Sequence, residues 1–155
     1  MKKIILPFIL IFVLSACGTS DESRRPDFCI NSAVDIEYLQ GSFSADVKTD
    51  ASGSMAITVS SPESLRGITV LCSSDDISVQ YGTLKLQCTN GYVPFTQLYK
   101  LVSFARNSVP DSVESKDSER VFRYSNDGDE YVFTADAETD RINKIETPEC
   151  VYMMR

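Results

Sequence analysis

Apolar and polar positions alternate along most of this chain, and a period of two predicts strands with one buried face. Phe43, Ala45 and Val47 alternate with Ser44, Asp46 and Lys48, and Met55, Ile57 and Val59 with Ala56, Thr58 and Ser60. Ile68, Val70 and Cys72 share a parity. Ile77, Val79 and Tyr81 follow with Ser78 and Gln80 opposite, then Leu84, Leu86 and Cys88 with Lys85 and Gln87 opposite. Further on come Phe122-Arg123-Tyr124 and the run Tyr131, Phe133, Ala135 against Val132 and Thr134. Cys150, Tyr152 and Met154 predict a last short strand, while Ile142 to Ile145 is less regular. Turn residues punctuate these runs at 50–53, 73–76, 81–83, 126–129 and 136–140, and all suit hairpins. Short links between alternating runs predict an antiparallel sheet, because parallel strands need long crossovers.

Three segments depart from this period. Phe95, Leu98, Tyr99 and Val102 fall at i, i+3, i+4 and i+7, an amphipathic helical stripe, with Pro94 suited to its first turn. Ala33 to Leu39 reads as a shorter helix feeding the first strand. Asn107 to Glu119 is polar and charged with Pro110 inside it, and reads as a long loop of the functional or mobile kind.

The N-terminus carries a different signal. Lys2-Lys3 precedes the apolar run Ile4 to Val13, then Leu14-Ser15-Ala16-Cys17 and polar Gly18-Thr19-Ser20-Asp21. The run is too short for a spanning helix of ~20 residues, and its flanks fit a secretory signal. The box around Cys17 resembles a bacterial lipoprotein signal, which implies cleavage before Cys17 and acylation of its thiol. A plain signal peptide cut nearby is the alternative. Residues 1–16 are then the signal, 17–27 a flexible polar tether, and 28–155 one domain. The expected location is the cell membrane or outer membrane, lipid-anchored and facing the extracytoplasmic side. Gly18, standing where an aspartate is linked to inner-membrane retention, favours the outer membrane in a two-membrane cell.

Composition narrows the function. The 155 residues hold 15 Lys and Arg against 22 Asp and Glu, a net charge of −7, which becomes −9 once Lys2 and Lys3 leave with the signal. An acidic surface argues against nucleic acid, whose phosphates need cations. The chain has no histidine, which excludes Cys/His zinc sites and Ser–His or Cys–His nucleophile pairs. It has neither an SxxK motif nor a GxG phosphate loop. Asp127, Asp129 and Glu130, the pair Asp75-Asp76, and the group Asp136, Glu138 and Asp140 read as solvated turns. No catalytic residue, metal or cofactor is expected, and the protein reads as a non-enzyme.

Four cysteines follow Cys17: Cys29, Cys72, Cys88 and Cys150. An even number in an exported domain predicts two disulfides, with free thiols as the alternative. Cys72 and Cys88 share the inward parity. Two tight hairpins would set them about 10 Å apart, beyond the roughly 7 Å that a disulfide spans. Each is therefore expected to pair with Cys29 or Cys150.

The segment order resembles the bacterial lipoprotein-carrier superfamily, the LolA/LolB-like fold, over about Ala33 to Thr147. The residues that carry it are Phe43 to Val47, Ser61-Pro62-Glu63-Ser64-Leu65-Arg66-Gly67-Ile68-Thr69-Val70, Val79 to Leu84, the helix from Pro94, Gly128 to Ala135 and Thr139 to Ile145. The chain departs from that superfamily in having no tryptophan and four domain cysteines. The resemblance implies an α+β fold: a strongly curved antiparallel sheet, an incomplete barrel covered by one or two helices around a lipid-sized hollow. Phe95, Leu98, Tyr99 and Val102 would then face the concave side, with Val47, Ile57, Val70, Val79 and Leu86 as the floor. The implied function is a non-enzymatic envelope lipoprotein binding an acyl chain or lipidated peptide. The alternatives are a cell-surface protein-binding module, such as an anchored inhibitor of a basic enzyme, or a structural envelope-assembly protein.

Overall fold

The structure is a computed structural model that describes residues 24–39, 41–88 and 94–155. The signal, the lipidation candidate Cys17 and the tether as far as residue 23 lie outside the described residues. Among the described residues the chain forms one open antiparallel sheet of eleven strands with one α-helix. The first six strands are β1 (Asn31–Tyr38), β2 (Gly41–Thr49), β3 (Met55–Ser61), β4 (Thr69–Cys72), β5 (Ile77–Tyr81) and β6 (Leu84–Gln87). Helix α1 (Phe95–Asn107) follows, then β7 (Ser112–Lys116), β8 (Glu119–Asn126), β9 (Asp129–Asp136), β10 (Ile142–Glu146) and β11 (Cys150–Met154).

The strands lie in the order β6-β5-β4-β3-β2-β1-β11-β10-β9-β8-β7. Each half is a meander of hairpins, and pairing of β1 with β11 joins the halves. The helix therefore connects the two opposite edges, β6 and β7, and packs on one face on the way. Period two puts one apolar row from most of the strands on that face. Val34 and Ile36, Ala45 and Val47, Ile57 and Val59, Phe122 and Tyr124, Phe133 and Ala135, and Tyr152 are all buried there in one core. The helix contributes Phe95, Leu98, Leu101, Val102 and Ala105 to it.

Three expectations change, and one irregularity finds its cause. Ala33 to Leu39 is not a helix: it falls in β1 and its turn, because Val34 and Ile36 point into the core while Asp35 and Glu37 point out. The segment 107–119 is not one long loop. It contains β7, which pairs with β8 through a turn where Asp117 takes φ of 52°. Polar residues hide this strand from hydropathy because an edge strand has little to bury. The irregular stretch Ile142 to Ile145 is strand β10 with a bulge between Ile142 and Lys144. The extra residue lets Ile142 and Ile145, three apart, both be buried.

The third change concerns the thiols. All four described cysteines are free, and the register accounts for this. Cys72 stands opposite Ile77, and the Cys88 N–H donates to the Ile77 carbonyl, so one strand separates the two thiols. On its other side Cys72 stands opposite Met55, Met55 opposite Thr49, and the Thr49 N–H donates to the Ile30 carbonyl. Three strand spacings, about 14 Å, therefore separate Cys72 from the start of β1 beside Cys29, with Cys88 farther still. Cys150 pairs with Tyr38 at the far end of β1.

Residues just before β1 are already docked. The Arg24 guanidinium donates to Asp140, Arg25 to the Arg106 carbonyl, and the Asp27 N–H to the Asp140 carbonyl. The Phe28 ring meets Phe133 edge-on at 6.1 Å. This strap spans from the β9–β10 turn past the end of the helix to β1.

Candidate functional site

The five residues expected to floor a hollow form one continuous cross-strand row. Val47 pairs with Ile57, Ile57 with Val70, Val70 with Val79, and Val79 with Leu86. They share the helix-side face, as the parity of their strands requires. Their exposure changes along the row. Val47, Ile57 and Val70 are each 1% exposed or less, Val79 is partly buried, and Leu86 is 54% exposed.

The helix explains the sealed part. Phe95, Leu98 and Val102 are each 2% exposed or less, and Tyr99 is partly buried. Residues lining a lipid-sized void would keep area open to a water-sized probe, so the space between α1 and β2 to β4 is filled by side chains. The Phe95 ring meets Phe43 of β2 edge-on at 5.7 Å, and Phe104 meets Tyr124 and Tyr131 at 6.3 and 6.1 Å. The Tyr152 hydroxyl donates to the Pro94 carbonyl at 2.9 Å and fixes the helix start over β11.

Beyond β4 this cover ends. Tyr81 at 61% exposed and Leu84 at 58% stand opposite each other across the β5–β6 hairpin, on the same face as Leu86. With partly buried Ile68, Ile77 and Val79 behind them, they make an apolar shelf on the helix side of the sheet. Gly67, at φ of +86°, passes beside the Tyr81 ring, where an added Cβ would lie 3.7 Å from it. Sequence parity found Val79 and Leu86 but not Tyr81 or Leu84 as site residues. The signal lay in the apolar residues flanking Gly82-Thr83, which a reading of parity assigns to the core.

A concavity of about 560 Å³ lies over the ends of β2 to β6 and includes Lys48, Asp50, Leu71, Asp76, Ser78 and Lys85. Its carboxylate Asp50 is committed to the local turn. It accepts from the Ser52 hydroxyl and N–H and from the Ser54 N–H, and the Ser52 hydroxyl is the main cause holding its carboxyl below the usual range.

No protein-family model matches the chain, and no curated protein matches it. Among solved structures it is similar to the LolA superfamily protein NE2245 from Nitrosomonas europaea, with 14% identity and a TM-score of 0.37. The similarity covers 74% of this chain and 60% of that one, so this chain spans less than two thirds of that structure's length.

Proposed function

We propose that this is a non-enzymatic envelope lipoprotein, anchored through lipid on Cys17, that binds an apolar ligand such as an acyl chain or lipidated peptide. The binding surface is the β5–β6 shelf rather than a hollow beneath the helix. The observation that carries this is the cross-strand row, sealed from Val47 to Val70 and open at Leu86. Exposed large apolar residues grouped on one face mark an interaction surface more often than a chance of folding. An acyl chain needs only such a surface and no catalytic group.

The shelf lies beyond the helix if the sheet wraps around α1, and the ring contacts support that curvature. Phe95 and Phe104 are nine residues apart, about 14 Å along a helix. They touch β2 and β8, which lie five strand spacings apart, about 24 Å in a flat sheet. A curved sheet brings both within reach of one short helix.

The test uses the mature chain carrying Cys17→Ser, titrated with a fluorescent fatty acid. Saturable binding that is lost in Leu84→Asp/Leu86→Asp, with the thermal transition unchanged, is the expected result. Absence of saturable binding in the parent chain would overturn the acyl-chain reading. The anchor is tested apart from it: Cys17→Ser in cells should release the protein from membranes or leave it unprocessed.

A further inference from the structure

We propose that the free edge of β6 docks an extended peptide whose side chains alternate apolar and acidic. This rests on the shelf reading above and names its ligand as a peptide, acylated or not, rather than a free acyl chain.

The backbone provides the first reason. Among the described residues β6 is the last strand of the sheet on its side. The Cys88 N–H donates inward to Ile77. Antiparallel alternation then turns the N–H and C=O groups of Lys85 and Gln87 outward, away from β5. An added strand satisfies them, whereas a hydrocarbon chain cannot.

The side chains specify the occupant. Residues of the added strand beside Leu84 and Leu86 would lie on the helix-side face, next to exposed apolar surface, and would be apolar themselves. Residues beside Lys85 would lie on the other face. Lys85 is the one charged residue of β6, and among the described residues no carboxylate comes within ion-pair distance of it. A cross-strand Glu or Asp would complement it.

The opposite edge provides the contrast. β7 carries Glu114 and Lys116, with Asp117 in its turn and Glu119 across from it. Charges of this kind guard an edge against pairing. On β6 the face away from the helix carries one charge, Lys85, and the helix-side residues are two exposed leucines where β7 has Val113 and Ser115.

The mature chain carrying Cys17→Ser is titrated with a fluorescein-labelled Thr-Val-Glu-Val-Thr peptide. Its comparators are a version with Lys for Glu and two versions N-methylated on alternate amides. Methylating the amides that face β6 removes the docking bonds, so one methylated version should bind at least ~10-fold more weakly while the other binds as the parent does. The Glu peptide should exceed the Lys peptide, and Lys85→Glu should reverse that order. Equal binding by both methylated versions, or an order unaffected by Lys85→Glu, overturns the edge proposal. A fatty acid that binds while no peptide does overturns it too and leaves the shelf reading standing. Peptide binding with the expected pattern but without fatty-acid binding leaves the edge proposal standing and overturns the acyl ligand.

Discussion

The Tyr152 hydroxyl and the Pro94 carbonyl meet at 2.9 Å inside the core, while the equally buried Tyr124 hydroxyl meets no partner among the described residues. Burial pushes both phenols up, Tyr124 to about 12, so both keep their protons in the working pH range. The two tyrosines make an internal control. The Pro94 carbonyl also accepts from the Leu98 N–H, so Tyr152→Phe should cost about 0.5–1.5 kcal/mol, the net worth of one hydrogen bond. Tyr124→Phe removes an unpaired polar atom and should be neutral or stabilising. Urea midpoints of the two variants check this, and equal losses would contradict it.

Leucines 98 and 86 separate core from surface. Leu98 is fully buried. Leu98→Ala should cost about 2–5 kcal/mol, and Leu98→Asp should unfold the domain because an unpaired buried charge is very costly. Leu86→Asp should shift stability by no more than about 0.5 kcal/mol, as surface changes do. Circular dichroism melts distinguish the two, and a folded Leu98→Asp protein would restore the open hollow.

Thiol titration tests the cysteines. Cys29 is exposed, Cys88 is half-buried, and Cys72 and Cys150 are buried. Native protein should react with a thiol reagent first at Cys29, with Cys72 and Cys150 reacting only on unfolding. Burial pushes the Cys72 thiol from 9.0 up to about 11. A raised folded value means this contribution to stability is complete below pH 9 and is lost as pH rises towards 11. Thermal midpoints should fall across that window, and Cys72→Ala should reduce that fall. Recovery of disulfide-linked peptides from non-reduced protein would contradict the free-thiol arrangement.

The strap depends on Asp140, which takes φ of 57° and holds both Arg24 and the buried Arg120 guanidinium. Arg120 also donates to the Ala137 carbonyl at 2.9 Å. Asp140→Asn keeps a residue that tolerates positive φ but leaves Arg120 without its counter-charge. A loss of about 1–3 kcal/mol is expected, that of a hydrogen-bonded charge pair broken on one side, and amide exchange should quicken at Asp27. No change in either would show the strap to be dispensable.

The strands were legible where burial enforces alternation. Val34 and Ile36 also alternate, but so short an alternation suits a helix turn as well as a strand, and only pairing with Ala45 and Phe43 decides between them. β7 escaped because an edge strand with Glu114 and Lys116 carries no apolar signal. The row from Val47 to Leu86 was legible as a set, since parity and turn lengths determine cross-strand neighbours. Where the helix stops covering that row was not. Exposure of Leu86 and Tyr81 depends on how far α1 reaches across the sheet, a tertiary distance that local pattern does not encode.

A photoactivatable fatty acid, crosslinked to the mature chain carrying Cys17→Ser and mapped by peptide mass spectrometry, locates the ligand directly. Adducts concentrated on Tyr81 to Gln87 are the predicted result. Adducts concentrated on Phe95 to Val102, beneath the helix, would contradict the shelf and place the ligand in a hollow between helix and sheet.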